Sequence, residues 1–213
     1  MKKSFLFSAA VVFLLASPNY ANSRNRVAQS APNPAAEDKT APSYDMKPQA
    51  LLDLQDMHKK MVQLATAIPA DKYVWRPEAG TRSVSEVFLH VTAANHNIPS
   101  MMTGMTPDSA FKADGFETST TDKARIINQL DKSFDYAETA IQGMSNADFA
   151  RPEKKLGPDA NSGDIIYLLV VHNHEHFGQT IAYARMNGIT PPWTEEAQRK
   201  AKADKDAAAP KKD

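Results

Sequence analysis

The sequence predicts an all-α protein, a four-helix bundle. Four stretches place apolar residues three and four positions apart, the spacing that one buried face of a helix requires. No stretch of similar length alternates apolar and polar residues as a half-buried strand would. Hydrophobic residues make up 42% of the chain and charged residues 23%, which is typical of a soluble protein with a buried core.

The first two predicted helices have clear start signals. The first begins near Pro48, because proline fits the first turn of a helix. Its apolar stripe is Leu54, Met57, Met61, Leu64 and Ile68. The second begins at Ser83, which together with Glu86 forms the reciprocal pattern of a capping box, and it ends at Pro99 or Gly104. Its apolar face is Val84, Val87, Phe88 and Val91.

The last two predicted helices end at glycines. The third begins near Thr121 and ends at Gly143. Its apolar residues are Ile126, Ile127, Leu130, Phe134, Ala137 and Ile141. The fourth runs from about residue 162 to residue 187 and stops at Gly188, with prolines beyond. Four amphipathic helices within about 150 residues favour a bundle, in which sites are built from side chains on facing helices.

The two ends of the chain differ from its middle. Two lysines followed by a short apolar run over residues 5–16 are typical of a secretory signal peptide. We therefore predict a signal peptide over residues 1–23, with cleavage after Ser23 or after Ala21, although an uncleaved anchor is the alternative. Composition predicts a disordered linker over residues 24–43, a folded domain over 44–194 and a disordered charged tail over 195–213. A frayed helix is possible in the tail, but a packed one is not expected. The mature protein is expected to be periplasmic or secreted.

Composition also excludes several kinds of function. The chain has no cysteine, so it can form no disulfide, thiolate metal ligand, cysteine nucleophile or lipoprotein anchor. Its formal net charge is +0, which gives no overall field to attract nucleic acid or an anionic membrane. The expected partner is a small-molecule substrate, with no nucleic acid and no membrane after signal cleavage. Formation of a homodimer is left open.

Three histidines form the candidate metal site. His172 and His176 are four residues apart, so both side chains stand on one face of the fourth helix. His90 lies on the apolar side of the second helix, where each buried ring nitrogen needs a partner. Three protein ligands with one open position are typical of catalytic zinc, and imidazole suits zinc or nickel. We predict that His90, His172 and His176 bind one divalent transition metal.

Each histidine has a simpler alternative. His90 alone could be a core histidine bonded to a backbone carbonyl, and His172 with His176 alone could be a solvated pair. His174 and His96 point to other sides of their helices, which predicts surface or supporting roles.

Three further polar residues could orient a ligand of the metal. They are Glu86, Glu175 and Gln179, although the capping box already explains Glu86 and an exposed helix position would explain Glu175. Gln179 projects near both histidines of the fourth helix and is the strongest of the three. No catalytic residue is assigned.

Several short motifs resemble the DinB-like superfamily, which includes YfiT-type hydrolases and thiol-dependent S-transferases. Tyr73-Val74-Trp75-Arg76-Pro77, then Gly80, Ser83-Val84 and residues 86–90, resemble the approach to its second helix. Residues 172–179 resemble its HxxxHxxQ segment, and Tyr183, Arg185 and residues 187–192 resemble its closing stretch. The resemblance covers residues 44 to about 193.

This resemblance implies a fold and a metal site. The implied fold is an up-up-down-down bundle with a long crossover, and the implied site is a histidine triad that binds nickel or zinc, here His90, His172 and His176. Phe177 stands where many members have arginine, so we expect a substrate-facing or salt-bridging positive charge to be missing.

The function expected from these observations is that of a metal-dependent hydrolase acting on a small molecule. An open metal position activates water for attack on an electrophile. Hydrolysis fits export better than thiol transfer, since low-molecular-weight thiols are scarce outside the cytoplasm. The alternatives are a non-enzymatic metal-binding envelope or stress module, whose metal mainly stabilises the bundle, and a thiol-dependent S-transferase.

Overall fold

The computed structural model describes residues 45–102, 104–105, 108–109, 111–154 and 156–208. Within them it contains six α-helices and two 3₁₀ turns, Ala70–Lys72 and Phe116–Thr118. The helices are α1 (Met46–Ala67), α2 (Val84–Ser100), α3 (Lys123–Gln142), α4 (Asn146–Phe149), α5 (Ser162–Met186) and α6 (Pro192–Ala208). These residues form no β-strand beyond an isolated bridge between Pro152 and Asn161, so the all-α prediction is confirmed.

None of their helices combines the length and apolar character needed to cross a membrane. The predicted signal peptide and linker lie outside the described residues.

Side chains fix where the helices begin. The Ser83 hydroxyl accepts a hydrogen bond from the Glu86 amide, and the Glu86 carboxylate accepts one from the Ser83 amide, so the predicted capping box is confirmed. A second capping box, formed by Asn161 and Asp164, begins α5. These contacts satisfy amides that have no partner inside the first helical turn.

The end of α1 depends on a tyrosine. The Ala65 carbonyl lies four residues before Pro69, which has no N–H to donate to it. The Tyr73 hydroxyl donates to this carbonyl instead, at 2.7 Å, and its ring is fully buried against Phe88. Tyr73 therefore both closes α1 and fills the core beneath α2.

Four long helices, α1, α2, α3 and α5, surround one hydrophobic core. α1 and α2 each pack against both α3 and α5. Every residue of the apolar stripes predicted for the first three helices is buried except Ile127, which is partly exposed. The spacing of apolar residues therefore identified the face that each helix buries.

The direction of α3 relative to α1 follows from two lysines. Lys47, in the first turn of α1, donates to the Gln142 carbonyl at the end of α3. Lys123, at the start of α3, donates to the Ile68 carbonyl beyond the end of α1. The start of each helix therefore meets the end of the other, and the two are antiparallel.

Two contacts show that α2 and α3 run in the same direction. Arg82 and Glu117 form an ion pair just before the two helices begin, and Asn95 donates to Ser133 further along both. Since α3 is antiparallel to α1, α2 is antiparallel to α1 as well. Tyr183 near the end of α5 donates to the Arg82 carbonyl, which makes α5 antiparallel to α2.

The helices therefore follow an up-down-down-up order, and the up-up-down-down order implied by the family resemblance is wrong for α2 and α5. The long crossover is present as residues 101–122. It is needed because the chain leaving α2 must return along the bundle before starting the parallel α3. Apolar spacing defines the buried face of a helix but carries no information about its direction.

A sixth helix, α6, occupies residues 192–208 and so includes residues 195–208 of the predicted charged tail. Its alanine, lysine and glutamate residues favour helix, and Glu196 and Lys200 form an ion pair one turn apart. No residue of α6 is buried, and Trp193 in its first turn packs against Phe177 with ring centroids 5.3 Å apart.

Candidate metal centre

The structure brings the three predicted histidines together between α2 and α5. His90 comes from α2, and His172 and His176 come from successive turns of α5. One nitrogen from each ring can be chosen so that all three lie within 4.8 Å of one another. His90 and His176 are only 9% and 8% exposed. The grouping is that of a three-ligand site, while metal binding itself stays a prediction.

Glu117 fixes the orientation of His90. The Nδ1 atom of His90 lies 2.6 Å from the Glu117 Oε1 atom. An ionised carboxylate only accepts hydrogen bonds, so Nδ1 carries the proton and Nε2 keeps its lone pair. That Nε2 atom lies 3.0 Å from the Nε2 atom of His172. Carboxylates commonly orient metal-binding histidines in this way.

Gln179 holds His176 in the same manner. The Nδ1 atom of His176 lies 2.8 Å from the Gln179 Oε1 atom, while the Gln179 amide nitrogen donates to the Tyr183 hydroxyl at 3.0 Å. This arrangement places the imidazole proton on Nδ1 and leaves a lone pair on Nε2. The Tyr183 hydroxyl then donates to the Arg82 carbonyl at 3.2 Å. Side chains therefore support both histidines from outside the cluster.

The ring nitrogens of His172 are not both satisfied by hydrogen bonds, which bears on whether a cation fits between the rings. Its Nδ1 atom is buried and has no hydrogen-bond partner among the described residues. Its Nε2 atom faces the lone pair of His90, and a neutral ring has one proton to share between these two nitrogens. One nitrogen of His172 is therefore left unpaired in either tautomer. The three converging rings have more nitrogen lone pairs than N–H groups to satisfy them. Such a set of imidazole nitrogens suits a divalent transition metal.

The surroundings of His172 and His176 keep these two rings in the neutral form that binds metals. Burial lowers the pKa of His172 to about 3, helped by the neighbouring His176, His90 and Arg82. Burial also lowers the pKa of His176. For Glu117, burial would raise the pKa, but hydrogen bonds and charges from His90 and Arg82 lower it to about 2. The neutral rings of His172 and His176 thus stand near an ionised carboxylate at neutral pH.

The three predicted supporting residues have different positions. Gln179 contacts His176 as described above. Glu86 contacts none of the three histidines, because its carboxylate binds the Ser83 amide and the Arg76 guanidinium. Glu175 is exposed and makes no hydrogen bond to any of the three rings, and its negative charge only partly offsets the lowering of the His176 pKa by burial.

The remaining histidines of α2 and α5 do not join the cluster. His174 is exposed on the outer face of α5. His96 stacks on Phe111, with ring centroids 4.5 Å apart, and lies 3.4 Å from Asp108. The prediction that neither belongs with the three converging rings agrees with these positions.

Two residues of the site were missed by the sequence analysis. Glu117 lies in the second 3₁₀ turn, and Arg82 precedes the α2 cap, so neither belongs to a helical pattern. Only the proximity of the two segments in space relates them to His90. At position 177, where a positive charge was expected to be missing, Phe177 packs on Trp193. Arg82 brings a positive charge to the site from another element instead.

A cavity of about 420 Å³ lies away from the histidines, near the end of α2. Its walls include Met102, Tyr136 and Met144. None of the three histidines contributes to it.

Comparisons with known proteins agree with the fold. A family model described as the DinB superfamily matches residues 53–180. The solved structure of a candidate DinB family member from Exiguobacterium sibiricum 255-15 has a TM-score of 0.54 and 21% sequence identity. The match covers 69% of this chain and 95% of that one, and at this identity it supports the fold alone. No curated protein matches the chain.

Proposed function

Since this chain belongs to the DinB superfamily, we propose that it binds one divalent transition metal, zinc or nickel, through His90, His172 and His176. The convergence of these three rings is the observation that carries the proposal. Further support comes from Glu117 and Gln179, which bind the outer nitrogens of two rings and leave the inner lone pairs available.

We further propose that the protein is a metal-dependent hydrolase acting on a small molecule. Three protein ligands leave a coordination position for water or substrate when the ion is four-coordinate. When bound, the ion would supply Lewis-acid chemistry that polarises a carbonyl group or a water molecule. Glu117, which contacts His90, and its partner Arg82 keep 28% and 37% of their side chains exposed. Glu117 would hold the proton on His90 Nδ1 and keep that ring in the binding tautomer.

A structural role for the metal is the second candidate. His90 and His176 are almost fully buried, and the cavity described above does not reach them. Metal bound at such a place would join α2 to α5 and add to the stability of the bundle. This role needs neither a substrate nor an open position.

One set of measurements separates the two candidates. The purified chain is loaded with Zn²⁺ or Ni²⁺, its metal content is determined, and hydrolysis of small p-nitrophenyl esters is followed before and after chelation. A hydrolase loses turnover on chelation and regains it on reloading. A structural metal lowers the melting temperature on removal, with no turnover above that of free ion. A chain that takes up no metal contradicts both candidates.

Export remains part of the proposal and rests on residues 1–23 alone. Intact mass spectrometry of the protein recovered outside the cytoplasm should give a chain beginning between residues 22 and 24. A mass that includes Met1 would contradict it.

A further inference from the structure

Arg82 has donors that the structure does not use. Its Nε atom donates to Glu117 Oε2 at 2.8 Å, and its Nη2 atom is 3.4 Å from Glu117 Oε1. The Nη1 atom has no hydrogen-bond partner among the described residues, and the side chain is 37% exposed. The Arg82 carbonyl accepts from Tyr183, so its backbone is held in place. A fixed, partly exposed guanidinium with free N–H groups can bind an additional acceptor.

With a divalent ion bound, the cluster and its neighbours would carry more positive than negative charge. Three neutral imidazoles do not reduce the charge of a divalent ion, and Arg82 adds a further positive charge. Among the described residues, Glu117 is the one carboxylate hydrogen-bonded to a histidine of the cluster, and it is shared between His90 and Arg82. Glu86 is paired with Arg76 instead. A partly buried site with excess positive charge is stabilised by binding an anion.

Arg82 is close enough to act on the same centre. Its Nε atom donates to Glu117 Oε2 at 2.8 Å. Its carboxylate partner, Glu117, contacts His90 directly at 2.6 Å. One carboxylate therefore links the guanidinium to His90, whose Nε2 atom lies 3.0 Å from that of His172, although Arg82 comes from the segment before α2.

We propose that Arg82 is an anion-binding residue of this centre, and that the site takes small molecules that carry a carboxylate. One carboxylate oxygen accepts from Arg82 Nη1 while the molecule lies at the metal. The inference rests on the proposed function, since it needs the metal to be bound. It assigns to Arg82 a role in substrate selection.

The test uses Co²⁺ as the probe metal and acetate as the probe anion. The full chain is loaded with Co²⁺, its metal content is measured, and acetate is titrated while the visible spectrum of the ion is followed in a buffer without other coordinating anions. Acetamide, which is neutral and of similar shape, is titrated in parallel. Arg82→Met is compared with the wild type and with Arg76→Met, an arginine of similar exposure that is paired with Glu86 outside the cluster.

We expect the wild type and Arg76→Met to bind acetate with equal affinity. Arg82→Met should bind it at least about tenfold more weakly, because a charge-assisted hydrogen bond is lost. Acetamide should bind all three proteins weakly. Should Arg82→Met lose cobalt, Arg82→Gln, which keeps an N–H donor for Glu117, is expected to give the same loss of acetate binding.

Full cobalt content with unchanged acetate affinity in either Arg82 variant would overturn the inference and leave metal binding intact. Equal affinity of the wild type for acetate and acetamide would overturn it as well. A wild-type chain that binds no cobalt contradicts the proposed function, and the anion site is then contradicted with it.

Discussion

Replacing Glu117 by glutamine should weaken metal binding without removing a metal ligand. Its Oε1 atom accepts from His90 at 2.6 Å and, at 3.4 Å, from Arg82 Nη2, while its Oε2 atom accepts from Arg82 Nε at 2.8 Å. Glutamine keeps one acceptor oxygen and presents an NH₂ group at the other position. Whichever way the amide turns, a donor then faces either the His90 ring or the Arg82 guanidinium.

The size of the effect follows from that lost hydrogen bond. A hydrogen bond to a charged group contributes about 1.5–3 kcal/mol, which corresponds to roughly 10- to 100-fold in affinity. Substitution of residues that orient metal ligands typically weakens metal binding by about the same factor. We therefore expect Glu117→Gln to bind Zn²⁺ about 10- to 100-fold more weakly than the wild type.

Competition with a chromophoric chelator measures this difference. Glu86→Gln is the matched control, because Glu86 also lies near the start of α2 and pairs with an arginine but contacts none of the three histidines. It should keep wild-type affinity, although weakening its capping box should lower stability by about 1 kcal/mol. A change of less than twofold in Glu117→Gln would refute the orienting role of this carboxylate.

Three further predictions concern stability and are measured by urea unfolding. Tyr73→Phe should cost about 1–3 kcal/mol because it leaves a buried helix carbonyl unpaired, whereas Tyr167→Phe, at an exposed position, should change stability by less than about 0.5 kcal/mol. Gly163→Ala should lower the free energy of unfolding by about 1–2 kcal/mol, because its Cβ would lie 2.9 Å from the capping side-chain oxygen of Asn161. Gly178→Ala, whose Cβ would have no neighbour within 4 Å, should raise it by about 0.5–1 kcal/mol. Equal effects of the two substitutions would contradict the predicted contact. In the metal-free protein, stability should fall as pH decreases from 6.5 towards 3, because unfolded His172 gains a proton that the folded residue, with a pKa of about 3, does not. His172→Gln should reduce this dependence, and an unchanged slope would contradict the assignment.

Much of the fold could be predicted because it depends on local patterns. The apolar stripes identified the buried faces, and the capping box of Ser83 and Glu86 gave the start of α2. Helix direction could not be derived in this way, because it is set by contacts distant in sequence, such as those of Lys47 and Lys123 with the opposite ends of α1 and α3.

The site divides along the same line. His172 and His176 follow from helical spacing, and His90 follows from its place on an apolar face. Glu117 and Arg82 belong to connections between helices, where no periodicity marks them, and they reach the cluster because the second 3₁₀ turn packs against α2. The sequence patterns therefore could not predict these two charged residues, whose relation to the histidines exists only in the folded structure.

Metal content tests the central claim most directly. The wild type, His90→Ala, His172→Ala and His174→Ala are purified, loaded with Zn²⁺ under identical conditions and analysed for bound metal. His174 is the matched control because it lies on the same helix between two proposed ligands but faces outward. We expect one ion per wild-type chain, nearly the same content in His174→Ala, and a sharp loss in the other two variants. Equal loss in His174→Ala, or full content in His90→Ala, would contradict the three-histidine centre.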